Sequence, residues 1–501
     1  MSTLSQEEQE LFNRTIRAAE RGEVWGQFNL GLSYYYGKGV DADFAKAAHW
    51  FNLAALQEDA DAQFYLAFMY ANGQGVPRND QEAVKWFRHA AEQGHAEAQF
   101  HLAFLYLHGV GAAKDIVDAI KWFRRSAEQG FVESQFQLAQ LCQRSESLRW
   151  FQEAARRGHA EAAYRLGELF INGNGVAKNA AEALTWFQQA ATAGHNQAQF
   201  QLGLMYATGH DTPRNSTLAA RWFTAAAEQG NAEAAYRMGV MYLNGNGVAE
   251  DIALALRWIQ LATNAGHAGA QYELGMLYAE GRGVQKDERE AVKWFGLAAE
   301  QSLAPAQHEL GVCLLEGRGI RAEPAAAMRW LHQAAVQGIA GAQYQMGRLY
   351  RHGLGVVQDL GEAREWYRQA ANADHIDAQH VLGLLCARGE GGAVDVAQAM
   401  GWFQKAAAAD HADAQYELAM LLLTHANLTT DDTETVRWLR CAASQNHAAA
   451  QYRLGLMYLT GRGVAHSCLE CQIWMERAAT EGDLRAKEFL QLIRKETWFR
   501  S

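Results

Sequence analysis

Apolar and small residues recur along the chain at two alternating helical spacings. In the segment 96–108, Ala98, Leu102, Leu105 and Tyr106 fall on one face of a helix. Gly109-Val-Gly111 interrupts that pattern, and segment 118–127 starts another, with Ala119, Trp122, Phe123 and Ala127 on one stripe. Gly130 stands where a left-handed residue would close the second helix. The pattern predicts helix A, turn, helix B, turn. No segment alternates with the period of two that a half-buried strand requires.

The same unit repeats. Trp50, Trp86, Trp122, Trp150, Trp186, Trp222, Trp258, Trp294, Trp330, Trp366, Trp402, Trp438 and Trp474 are spaced 36 residues apart, except for one interval of 28 between Trp122 and Trp150. A fixed period between 20 and 50 residues marks a repeat array. Helix A has a column of small residues running from Gly31 and Ala67 through Gly203 and Gly347 to Gly455. A glycine inside a helix costs about 1 kcal/mol against alanine, so a close approach by a neighbouring helix is expected there. Bulky Trp and Tyr columns are the expected partners of these small residues. Segments 5–21 and 483–497 keep the helical phase but replace column residues with polar ones, Arg14 at the Trp position and Arg494 at the Tyr position. Capping units of this kind keep an array soluble.

The fold expected is all-α: a right-handed α-solenoid of about thirteen 36-residue helix-turn-helix repeats. Residues 1–22 and 483–501 form the capping helices, and 23–482 the array. A shortened repeat at 132–157 lacks eight residues, leaving Ser145-Glu-Ser147 to turn the chain, with Cys142 in place of the column tyrosine. A local change of twist is expected there.

Composition narrows the chemistry. The 501 residues include 49% hydrophobic and 20% charged residues, so a core is affordable and disorder is not expected. Four prolines exclude a proline-rich linker, and a net charge of −11 argues against binding nucleic acid or an anionic membrane. Six cysteines in this length do not make a disulfide framework. The sequence has no stretch of 18 apolar residues, and its first residues do not read as a secretory signal. A cytoplasmic protein without a membrane span is expected.

The unit reads A-x-A-Q-[FY]-x-L-G-x-[ML]-Y, then G-x-G-V, then E-A-x-x-W-[FY]-x-x-A-A, then G-H. It resembles the Sel-one-like repeat (SLR) family, a branch of the tetratricopeptide superfamily, over about residues 24–482. Local departures occur at Leu148–Trp150, at Gly209-His-Asp-Thr212, at Gly389-Glu-Gly-Gly392 and at His425-Ala-Asn-Leu428. The resemblance implies an α-solenoid that binds other proteins as an adaptor in complex assembly, signalling, secretion or host–bacterium interaction, and not an enzyme. An immunity or inhibitor protein that occludes a toxin or enzyme is the alternative it leaves open. Cysteine-rich relatives carry a disulfide in each repeat; this chain has no paired cysteine column.

Candidate chemistry gives way to packing at each motif. The recurring G-x-G-V lacks the third glycine and preceding strand of a dinucleotide loop and the Lys-Ser/Thr of a Walker loop, so a tight turn is expected. His95, His159, His195, His267, His375, His411 and His447 share a column with Asp59 and Asn231, which suits helix N-caps better than a metal stack. His466, Cys468 and Cys471 have permissive metal spacing, but one C-x-x-C lacks the second pair of a closed zinc site, and Cys471 replaces a column alanine. No catalytic signature, cofactor motif or convincing metal site emerges.

Helix A of a two-helix solenoid usually lines the concave face, so the stripe unused by the Leu, Gly and Tyr columns is the candidate partner surface. It contains Tyr65, Phe68, His101, Phe104 and His108 in repeats two and three, then Arg165 and Arg237. It continues with Glu273, Glu280, Glu309 and Glu316 in repeats eight and nine, then Arg348. An aromatic patch supplies anchors for a protein or peptide. The glutamates point to a partner with basic character.

Overall fold

Asp, Asn or Ser begins most helix B segments, and its side chain accepts a hydrogen bond from the first turn. Asp43 accepts from the Lys46 N–H, Asn179 from Glu182 and Ser467 from Glu470. A backbone bond ties each such cap to the preceding helix: the Asn79 N–H donates to the Tyr70 carbonyl and the Asp115 N–H to that of Tyr106. The structure, a computed structural model, describes residues 6–424 and 432–495. These form 28 helices and no strand.

Two units divide the chain. One comprises Met1–Arg237 with Asn244–Glu250, the other Met238–Leu243 with Asp251–Ser501. Each is an all-α solenoid of antiparallel helix pairs. A typical pair is Ala60–Asn72 with Asp80–Glu92 in the first unit and Ala304–Glu316 with Pro324–Val336 in the second. Helices Gln6–Glu20 and Leu484–Lys495 flank the pairs.

The helix A glycines sit against the residue that follows each tryptophan, not against the Trp and Tyr rings that the columns suggested. A Cβ on Gly31 would lie 2.7 Å from the Phe51 ring, one on Gly203 2.4 Å from Phe223, and one on Gly347 2.8 Å from Tyr367. Phe51, Phe123 and Tyr367 are among the largest fully buried side chains. The indoles lie one residue round the helix, most of them half-buried and Trp86 and Trp150 buried, several with a cation on their face: Arg125 is 4.6 Å from the Trp122 ring and Lys405 4.4 Å from Trp402.

The G-x-G-V segments are turns. Gly73 has φ 68° and closes helix A; Gly75, also at φ 68°, presses on the previous repeat, where a Cβ would lie 2.2 Å from the Phe44 carbonyl. In the departure at Gly209–Thr212, Asp211 takes the second glycine's place at φ 64°. Gly389 and Gly391 keep both positive φ values in the other. The departure at His425–Leu428 lies outside the described residues.

The shortened repeat turns differently from the sequence expectation. Helix A is only Val132–Leu141, helix B is Arg144–Arg156, and Cys142-Gln143 alone connects them. Ser145–Ser147 lies within helix B instead of forming the turn. The eight missing residues come partly from helix A, which has 10 residues in place of 13, and partly from the connection. With no room for the glycine turn, Cys142 is extended, at φ −82° and ψ 165°.

Candidate interaction face on helix A

The helix A start is built from one histidine making three contacts. In His95 the Nδ1 accepts from the Ala98 N–H at 3.0 Å, the ring stacks on Phe64 of the previous repeat at 4.7 Å, and Nε2 lies 3.2 Å from Asp61. His195 repeats the set with Ala198, Tyr164 and Glu161, and His447 with Ala450, Tyr416 and Asp413. Asp59 and Asn231 cap in the same way through oxygen. The acidic residue two positions into helix A therefore binds the next repeat's cap. A 34-residue His–acid spacing was visible in the chain and went unread.

Behind the caps runs a buried glutamine relay. Gln99 donates from Nε2 to the Ala91 carbonyl at 3.0 Å, and its Oε1 accepts from Gln129 at 2.8 Å. Gln307 and Gln415 do the same with Ala299 and Gln337, and with Ala407 and Gln445. Where the second glutamine is replaced, by Arg157, Ala373 or Glu481, the Oε1 atoms of Gln135, Gln343 and Gln451 are buried without a partner.

The face beyond this scaffold differs between the units. In the first, Tyr65 stacks on Phe51 at 5.1 Å, meets Tyr35 edge-on, and its hydroxyl lies 3.1 Å from that of Tyr36. Burial, then the Tyr36 contact, pushes its phenol well above the usual value. His101 stacks on Phe87 at 5.2 Å and meets Phe68 edge-on at 6.1 Å; burial pushes its imidazole down to about 4. Tyr65 and His101 thus lean on helix B as much as on the open face. Phe68 is half-buried, while Phe104, 42% exposed, and His108 lie together at the surface with rings 4.3 Å apart.

This aromatic face opens beside Tyr65 into a cleft of about 400 Å³, lined by Leu11, Phe12, Leu32, Tyr36 and Lys38. Leu32 and Tyr36 share the Phe68 and His108 columns one and two repeats earlier, so their register was legible. Leu11 lies on the flanking helix and has no column. Arg165 is held by Glu161 at 2.8 Å and Glu168 at 3.0 Å, and Arg237 by Glu233 at 2.6 Å. These two arginines are internal ion-pair members.

In the second unit the glutamates are not equivalent. Glu316 pairs with Arg318 at 2.9 Å, and Glu309 lies 3.2 Å from His308 Nδ1. Glu273 is half-buried; burial, then Glu280, raises its pKa above the ordinary carboxylate value. Glu280 and Glu309 border a cavity of about 190 Å³ floored by Met276, Phe295 and Cys313, with Lys286 and Arg318 at its edge. The mutual repulsion expected of four glutamates is therefore partly relieved by the chain's own Arg318. Arg348 donates to Gln345 Oε1 at 3.0 Å.

His466, Cys468 and Cys471 do not converge. Cys468 Sγ lies 3.8 Å from His466 Nε2 on an exposed edge, whereas Cys471 is fully buried beside Met475 and Ala486, its thiol pushed up to about 11 by burial.

These helix pairs, capped and joined through glycine turns, define a two-helix repeat protein. The chain belongs to the Sel1 repeat family, whose model matches 26–59, 60–95, 96–131, 132–159 and nine further segments running without a gap from 160 to 483. Among solved structures, c5321, a protective antigen of uropathogenic Escherichia coli strains with an SLR fold, is 29% identical with TM-score 0.75, over 95% of this chain and 97% of that one. A Sel1 repeat protein from Oxalobacter formigenes is 27% identical with TM-score 0.45, over 70% and 91%. The immunity protein Pa5087 from Pseudomonas aeruginosa is 22% identical with TM-score 0.27, over 42% and 82%. No curated protein matches the sequence. Sel1 repeat proteins are generally protein-interaction scaffolds. No helix among the described residues is long and apolar enough to cross a membrane.

Proposed function

We propose that this chain is a non-catalytic adaptor that holds a protein or peptide partner on the helix A face. The observation that carries the reading is the aromatic surface of the first unit. Phe104 stands exposed near half-buried Phe68, and the cleft beside Tyr65 offers apolar walls with the Tyr36 hydroxyl and the Lys38 cation at its rim. Aromatic anchors backed by a rigid stacked layer lose little entropy on binding and supply most of the energy at such interfaces. The acidic cavity of repeats eight and nine supports a partner with basic side chains. Six scattered cysteines, all present as free thiols, fit a reducing compartment such as the cytoplasm.

The test has two steps. Affinity capture with mass spectrometry identifies the partner, and titration of the purified pair compares the parent with Phe68→Ala/Phe104→Ala at unchanged helicity. Loss of binding supports the face; unchanged affinity places the partner elsewhere. An assay of the partner's own activity in the complex separates an adaptor, which leaves it intact, from an inhibitor, which abolishes it.

A further inference from the structure

In most repeats the ring under the cap histidine is Phe or Tyr, as with Phe136 under His159 and Tyr344 under His375. In repeat eleven it is His380, whose ring lies 4.7 Å from that of His411 at a tilt of 33°. One nitrogen from each, with a carboxylate oxygen of Asp413, lie within 4.8 Å of one another. Independently, His380 Nε2 is buried and makes no hydrogen bond. A buried ring nitrogen without a partner is costly, and a Phe or Tyr at this position would avoid the cost.

We propose that His380, His411 and Asp413 bind a late first-row divalent cation of the Zn²⁺ type, with water completing the coordination. Two imidazoles and one carboxylate are a ligand set that suits such ions. Bonds of about 2.0–2.1 Å place ligands roughly 3.4 Å apart around a tetrahedral ion, so the three groups close inward and the two rings leave their tilted contact. His411 and Asp413 each give up a present contact. His411 Nδ1 accepts from the Ala414 N–H at 3.1 Å and its Nε2 lies 3.4 Å from Asp377, while Asp413 lies 3.2 Å from His447. The field around His380 is mixed: the Asp377 and Asp413 carboxylates favour a cation and the Arg388 guanidinium opposes it.

The repeat itself supplies variants that keep the fold. Tyr occupies the His380 column at Tyr344 and Tyr416, Asn caps in the His411 column at Asn231, and Ala stands in the Asp413 column at Ala449. The full-length chain, free of any affinity tag, is titrated with CoCl₂ and followed by visible absorption, then challenged with ZnCl₂. One Co²⁺ per chain is expected, displaced by Zn²⁺. Groups that merely orient a ligand cost about 10–100-fold in affinity when removed, so His380→Tyr should weaken binding by about 100-fold or more. His411→Asn and Asp413→Ala should each weaken it by at least about tenfold. Cys468→Ser should leave it unchanged. Absence of saturable binding overturns the proposal, as does full affinity in His380→Tyr. A thiolate-to-cobalt band lost in Cys468→Ser also overturns it, by placing the ion at His466 and Cys468.

Discussion

In repeats two and three, Tyr65 and His101 fill the helix A register that Glu273 and Glu309 fill in repeats eight and nine. The backbone is the same, but the aromatic pair is locked into a stacked layer on Phe51 and Phe87, while Glu309 borders a small cavity beside His308 and Glu273 is half-buried near Glu280. The difference teaches that this register is half-internal. An aromatic side chain there becomes part of the fold and supports exposed neighbours such as Phe104. A charged one retains a desolvation cost that a partner's cation would relieve.

The comparison is broken most sharply by removing anchors. Phe68→Ala with Phe104→Ala should weaken partner binding by about 2 kcal/mol or more per anchor, roughly 30-fold each, in a calorimetric titration. The two regions should also respond to pH with opposite sign. His101 has a folded pKa below its unfolded 6.5, so its neutral form contributes full stability above pH 6.5, and that contribution is lost as pH falls towards 4. At pH 5 the loss is about 2 kcal/mol, and His101→Phe should remove this part of the acid sensitivity in urea-unfolding midpoints. Glu273 has a raised folded pKa, so its contribution is present at low pH and is lost as pH rises through that value. Glu273→Gln should therefore gain stability relative to the parent as pH rises from 4 to 7, measured the same way.

A smaller test uses the turn that ends helix B. In the aromatic region it is Gly94 at φ 95°, and in the acidic region Ser302 at φ 65°. Ser302→Gly should stabilise and Gly94→Ala destabilise by about 0.5–1 kcal/mol each in thermal unfolding, the left-handed penalty less the gain in unfolded-chain freedom. The smallest effect on affinity, below about 1 kcal/mol, is expected from Glu280→Gln with Glu309→Gln. That pair should instead slow association and flatten its salt dependence, read by stopped-flow at two ionic strengths.

The array, the turns and the histidine caps were legible because one residue type recurs at one register with one job. The Gly column was read as a close approach, but its partner was misassigned to Trp and Tyr. Trp is the more conspicuous periodic residue, yet Phe51, Phe223 and Tyr367, one position on, point inward, and a rotation of about 100° per residue separates the two. The shortened turn was misplaced because helix A also gave up residues, which spacing between tryptophans does not reveal. The 34-residue His–acid bridge and the glutamine relay were missed because each joins two columns, and reading columns singly hides pairings. Phe104 and Phe68 carry no chemical signature beyond their position, so burial alone distinguished them.

The glutamine relay has a consequence for how strain and unfolding travel. Each Gln–Gln link fastens the end of one helix pair to the start of the same repeat's first helix, while the companion bond to an alanine carbonyl fastens it to the repeat before. Along either unit the molecule therefore resembles a row of clasped links whose strength varies from joint to joint. The joints at Gln343 and Gln451, with the amide oxygen left unmet, are the weaker clasps, whereas those at Gln99, Gln307 and Gln415 are closed. In such a chain of nearest-neighbour couplings, opening is confined between weak joints instead of being shared by all repeats. Amide exchange in Ala340–His352 should accordingly outpace that in Ala304–Glu316, giving a solenoid of uniform sequence an uneven internal rhythm of breathing.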